Sequence, residues 1–174
     1  MNLMLPIYNI EVLTACHNRR AFSCGTDALD QYFYHQANQE IKKHITAVFV
    51  LVESESQKVI GYYTLSALAI SAGELPKQII KKYPKYNLLP ATLLGRLAVD
   101  KQYRRKGFGG LLIIDALRRS ISSSKEVASM AIIVDAKNET AATFYERYGF
   151  IRFVYQEKKL YLPIDAAVKL FGII

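Results

Sequence analysis

Between residues 93 and 120 the chain passes from LLGRLAVD, an apolar run of strand length, through RRKGFGG to LLIIDALRRS, which reads as a helix. A strand that hands over to a helix calls for α/β layering. The helix start also exposes four unpaired N–H groups and carries roughly half a positive charge, so a loop that admits an anion there makes a binding site. Gly107, Gly109 and Gly110 have no Cβ to obstruct that approach, and Arg104, Arg105 and Lys106 add charge at the same end. The pattern R-x-x-G-x-G is neither the G-x-x-x-x-G-K-[ST] of a nucleotide P-loop nor the G-x-G-x-x-G of a dinucleotide site. Alone, it is equally a turn with solvated cations.

The surrounding chain supplies context. YNIEVLT reads as a first strand, and CGTDALDQYFYHQANQEIKKH as a helix of about four turns capped by Thr26 or Asp27. TAVFVLVE and KVIGYYTLSALAIS, joined by SESQ, read as a β-hairpin. LPKQIIKKYPKYNLLP interrupts the β pattern with Pro76, Pro84 and Pro90 around a short helix or loop, and gathers Lys77, Lys81, Lys82 and Lys85. Then follow a strand over 92–100, a helix over 107–120, a loop-like SISSSKE, the strand VASMAIIVDA and the helix NETAATFYERYG. FIRFVYQEKKLYLPI closes as one strand or a pair of short ones. The alternation predicts an α/β fold with a central mixed, twisted sheet flanked by helices.

With 174 residues, 51% of them apolar, the chain buries a full core as a single domain over 1–174. No run approaches the 18 apolar residues of a membrane span, and MNLMLPIYNIEVL lacks the cationic start and cleavage site of a signal peptide, so a cytoplasmic protein without a membrane partner is expected. Cys16 and Cys24 suit neither a disulfide scaffold nor a four-ligand zinc site, and His17, His35 and His44 show no ligand spacing; no metal is expected. The formal charge of +8 fits a polyanionic partner, a nucleic acid or a multiply phosphorylated cofactor, and equally fits solubility alone.

LGRLAVDKQYRRKGFGGLLIIDALRRS followed by VDAKNETAATFYERYGF resembles the Gcn5-related N-acetyltransferases (GNAT): strand, R-x-x-G-x-G, helix, second strand, Asn, and a helix ending in FY-x-x-x-GF. The resemblance implies a sheet that splays open at its centre with acetyl-CoA in the cleft. The backbone around Arg104, Arg105, Lys106, Gly107, Phe108, Gly109 and Gly110 would hold the diphosphate. The strand edge Leu97, Ala98 and Val99 would pair with the pantetheine amides, and Asn138 would bond the same arm. Tyr145 falls on the position of the family's usual general acid, and a phenol of pKa near 10 is protonated when a CoA thiolate of pKa about 8.5 departs. The rival readings are a core tyrosine with a backbone-satisfied hydroxyl, and Tyr148 as the proton source. Phe144 and Phe150 read as core.

FSCGTDALDQYFYHQANQE, GYYTLSALAI and GRLAVDKQYRRKGFGG together resemble the TacT- and AtaT-type acetyltransferase toxins of toxin–antitoxin modules, over nearly the whole chain. That resemblance implies acetylation of the α-amino group of aminoacyl-tRNA, which blocks translation, and neutralisation by a ribbon-helix-helix antitoxin encoded beside it. It also implies a homodimer, for which AAVKLFGII is a candidate contact; the alternative is that this segment closes the core. Arg96, Lys77, Lys81, Lys82 and Lys85, with Arg104 and Arg105, are the candidate tRNA contacts. No residue must be the base; Glu40, His44 and Glu74 are the available guesses, and Asp135 is a candidate cap for the following turn. The alternatives are acetylation of a small amine or protein N-terminus, and a non-catalytic protein that binds CoA or the antitoxin.

Overall fold

The computed structural model describes residues 6–172; the first five residues of MNLMLPIYNIEVL and the last two of AAVKLFGII lie outside the described residues. Seven strands form one mixed sheet: β1 (Tyr8–Val12), β2 (Ala47–Glu53), β3 (Val59–Ser71), β4 (Leu88–Val99), β5 (Ala131–Asp135), β6 (Ile151–Phe153) and β7 (Gln156–Pro163), in the order β1-β2-β3-β4-β5-β7-β6. Valine, isoleucine and tyrosine fill most of the buried positions of β2 and β3, as the hairpin reading requires. β1 and β2 pair antiparallel, as do β2 and β3, whereas β4 and β5 run parallel from Thr92↔Ile132 to Leu94↔Val134. The final segment is a pair of strands, with β6 and β5 both antiparallel to β7.

The described residues also hold six α-helices: α1 (Asp27–Gln31), α2 (Ala37–Lys42), α3 (Lys77–Ile80), α4 (Phe108–Ser123), α5 (Glu139–Glu146) and α6 (Ile164–Phe171). The described residues divide into two compact units. The first comprises residues up to Ser66 with Arg96–Ala116; the second comprises Ala67–Gly95 with the residues from Leu117 onward.

The first unit has an aromatic core. The Phe33 and Tyr62 rings stack with centroids 4.4 Å apart and planes 7° apart, and Phe22 meets both edge-on at 5.1 and 5.6 Å. The Tyr62 hydroxyl donates to the Leu29 carbonyl at 2.8 Å, which ties α1 to β3. His17 is buried: its Nδ1 accepts the Thr14 N–H at 2.9 Å, so Nε2 carries the proton shared with Glu11 at 2.7 Å. In the second unit Ile70, Leu75, Leu89, Ile133, Phe153 and Tyr161 form a separate core.

Several elements differ from the sequence reading. The four-turn helix is α1 and α2 joined by a π-helical turn, Tyr32–Gln36. β4 starts at Leu88 rather than 92 and includes Pro90, whose carbonyl still accepts the Met130 N–H at 2.9 Å; a proline removes only the donor half of a ladder. α4 runs into SISSSKE as far as Ser123 because Ser120 and Ile121 are buried, and packing overrides serine's low helix propensity. AAVKLFGII begins as helix α6, which packs on β7, buries Ala167 and leaves Leu170 exposed.

Gly61 in β3 marks a close approach within the first unit. A Cβ there would lie 2.8 Å from Leu112 Cδ1 and 2.9 Å from the Ala98 carbonyl oxygen. Backbone cannot yield as a side chain can, so Gly61→Ala should lower unfolding free energy by about 1–3 kcal/mol in urea denaturation.

Candidate active site

The turn between β4 and α4 is built by two carboxylates. Asp100, buried, closes the end of β4: its Oδ1 accepts the Gln102 N–H at 2.9 Å and its Oδ2 the Ser23 N–H at 3.0 Å. Asp30 accepts the Cys24 N–H at 2.8 Å and the Ser23 hydroxyl at 3.1 Å. Burial pushes the Asp30 carboxyl up, but the donors on Cys24, Ser23 and Gly25 outweigh it and hold the group below its ordinary range. The Lys101 N–H returns to the Ser23 carbonyl at 2.9 Å, and the Arg104 guanidinium donates to the Cys24 carbonyl. Segment 23–25 therefore braces segment 100–104 on both edges.

On this brace the chain turns sharply. Arg105 and Gly107 both occupy the left-handed region, at φ 60° and 83°, and a Cβ at Gly107 would meet nothing within 4 Å. The approach to the start of α4 is open, as an anion site needs. Phe108 is buried, its ring edge-on to Tyr8 at 4.9 Å and Tyr103 at 5.9 Å, so its side chain anchors the helix and only its backbone faces the turn. Lys106 is exposed, its Nζ 5.2 Å from the Tyr103 ring centroid. Leu97, Ala98 and Val99 form the last residues of β4, with only Ala98 fully buried.

In the second unit, Asn138 caps α5: its Oδ1 accepts the Ala141 N–H at 2.9 Å, leaving its amide N–H donors for other partners. Asp135 is not a cap; it lies in β5 opposite Lys159. The Tyr145 ring is buried against Phe144 at 5.2 Å and Phe150 at 5.6 Å. Its hydroxyl has no hydrogen-bond partner among the described residues, and no fully buried side-chain oxygen lacks one, so solvent reaches that oxygen. The hydroxyl is thus not satisfied by backbone, against the core-tyrosine reading. Burial pushes the phenol up to about 12. Tyr148, half-buried, packs on Phe144 at 5.2 Å.

An acetyltransferase (GNAT) domain model matches residues 45–152, which include the turn, α4, Asn138 and Tyr145. The chain belongs to the GNAT acetyltransferase family. It is 28% identical over 163 residues, 90% of each chain, to a Sinorhizobium fredii protein described as "Probable toxin TacT". Among solved structures it is similar to AtaT complexed with acetyl-methionyl-tRNAfMet, at 32% identity and TM-score 0.88, with 95% of this chain and 99% of that one covered. It is also similar to a tyrosine-to-phenylalanine mutant of the AtaT toxin bound to the C-terminus of the antitoxin AtaR and acetyl-CoA. That match is 28% identical, with TM-score 0.80 and coverage of 94% and 98%.

This GNAT chain places the other candidates in two groups. Arg96, in the first unit, lies over the Tyr32 ring at 3.4 Å and 3.9 Å from Glu40, whose carboxylate accepts the Tyr32 hydroxyl at 2.8 Å. Eight residues of regular α-helix would turn Tyr32 and Glu40 about 80° apart. The wider i→i+5 turn between them takes up that excess and puts both on Arg96. Burial and the Glu40 hydrogen bond push the Tyr32 phenol up. Lys77, Lys81, Lys82 and Lys85, in the second unit, are all exposed without an acidic partner among the described residues. Glu74 is engaged by Lys159 at 3.0 Å, and His44 ends α2 in the left-handed region. Among the described residues no three His, Cys, Asp or Glu side chains group as metal ligands, and no helix is long and apolar enough to cross a membrane.

Sequence reasoning missed Asp100, Asp30 and the Ser23–Gly25 segment. One signal was available: Asp30 shares a helix face with Phe33 and Ala37, and an acid on an apolar stripe needs buried donors.

Proposed function

We propose that this single-domain protein is a toxin that transfers acetyl from acetyl-CoA to the α-amino group of aminoacyl-tRNA and so blocks translation. The observation that carries the reading is the similarity, over 95% of the chain, to AtaT complexed with acetyl-methionyl-tRNAfMet. The net charge of +8 and the exposed lysines of the insert agree with an RNA substrate.

The turn from Arg104 to Gly110 holds the diphosphate, Leu97–Val99 offer backbone groups to the pantetheine amides, and Asn138 contributes its amide N–H donors. An α-amine titrates near 7.7–8.0, so a useful fraction is neutral at cytoplasmic pH and attacks the thioester carbonyl carbon. The C–N bond forms as the C–S bond breaks, the Tyr145 hydroxyl gives its proton to the departing sulfur, and the amine's proton leaves to water. Arg96, held on Tyr32 and Glu40, and the lysines of the insert face the tRNA. A ribbon-helix-helix antitoxin, a homodimer joined through α6 and a cytoplasmic location complete the proposal.

Labelled acetyl-CoA offered with charged tRNA tests it. Label on the aminoacyl-tRNA is the expected result; label only on a small amine or protein N-terminus would overturn the substrate assignment. Reversing Lys81 and Lys82 to glutamate should weaken tRNA binding about tenfold or more and flatten its salt slope by up to about two, whereas a small-amine enzyme would be indifferent.

A further inference from the structure

A cavity of about 440 Å³ in the first unit is lined by Arg19, Arg20, Tyr34 and His35, and no carboxylate lines it. Its four side chains come from two segments, the loop after β1 and the π-helical turn. Arg19 is fixed: its Nη1 donates to the Phe33 carbonyl at 3.0 Å and its guanidinium lies 6.0 Å from the Phe33 ring centroid. Tyr34 is fixed as well, since its hydroxyl donates to the Phe22 carbonyl, and His35 stands edge-on to it at 6.1 Å. Arg20 and the His35 ring are exposed, and Arg20 has neither ion pair nor hydrogen bond among the described residues. Two guanidinium groups and two aromatic rings around an acid-free cavity match a phosphate joined to a flat heterocycle.

We propose that this cavity is a nucleotide subsite for the RNA substrate, with Arg19 and Arg20 on one backbone phosphate and His35, backed by Tyr34, stacked on the adjoining base. The assignment rests on the tRNA reading above and adds a contact outside both the acetyl-CoA turn and the lysine-rich insert. A base–aromatic pair beside a guanidinium favours RNA over an acidic peptide, which would leave the rings without a partner.

The test uses the full chain and deacylated tRNA, with affinity measured between 50 and 200 mM salt. Arg20→Glu should weaken binding about tenfold and make the log–log salt slope shallower by about 0.7–0.9, one phosphate contact. Arg20→Gln, which removes the charge without reversing it, should shift the slope the same way. His35→Ala should weaken binding about fivefold or more with the slope unchanged, because stacking releases no counterion. Acetyl-CoA binding should be unaltered in all three. If the wild type acetylates charged tRNA while both Arg20 variants keep wild-type tRNA affinity and slope, the subsite is wrong and the function stands. A variant that keeps tRNA binding but loses an antitoxin peptide would assign the cavity to a protein partner and overturn the proposal. If the wild type leaves charged tRNA unmodified, the function itself fails.

Discussion

Tyr145→Phe should lower kcat for acetyl transfer by about 10²–10⁴-fold, while KM for acetyl-CoA and the folded state stay close to the wild type. The ring is held by Phe144 and Phe150, and only the hydroxyl, which no group among the described residues engages, is removed. Packing should therefore survive. Because burial holds the phenol near 12, it stays protonated across the working pH range. The rate should then rise with pH as the substrate amine loses its proton near 7.7–8.0, with no falling limb from Tyr145 below about pH 11. Stability has the opposite sign. An unfolded tyrosine ionises near 10 and the folded one near 12, so stability from this group is complete below about pH 10 and is lost as pH climbs towards 12. An unchanged growth defect on expression of Tyr145→Phe would favour a protein that acts by binding.

Gly107→Glu should raise the acetyl-CoA dissociation constant by about two orders of magnitude in titration calorimetry. A carboxylate about 5 Å from a phosphate, at an effective dielectric near 20, opposes binding by roughly 3 kcal/mol. The open space beyond Gly107 accepts the side chain without a clash, so stability should fall only by about 1 kcal/mol, the cost of a left-handed non-glycine residue. A variant that binds acetyl-CoA as tightly as the wild type would move the diphosphate away from this turn.

The order of strands and helices was legible because period-2 and helical patterns are local and the glycines of RRKGFGG punctuate them. Tyr145 and Asn138 were singled out through a motif; the structure buries the ring of the first and makes the second the cap of α5. The π-helical turn was not legible, since it follows from the meeting of Tyr32 and Glu40 with Arg96, which lies far along the chain. Arg104 shows the same limit from the other side. Its charge reads as anion-binding in sequence, yet the guanidinium already donates to the Cys24 carbonyl, so among the described residues the turn's cations without a hydrogen bond or ion pair are Arg105 and Lys106. Serine-rich SISSSKE misread as a loop because burial of Ser120 and Ile121 is invisible to composition.

The GNAT match begins at residue 45, whereas the groups that grip the β4–α4 turn come from Ser23 and Cys24, themselves held by Asp30. The most general piece of the molecule is thus scaffolded by its most particular one. Sequence drift upstream of residue 45 has a direct route to the shape of that turn, without a single change inside the shared domain.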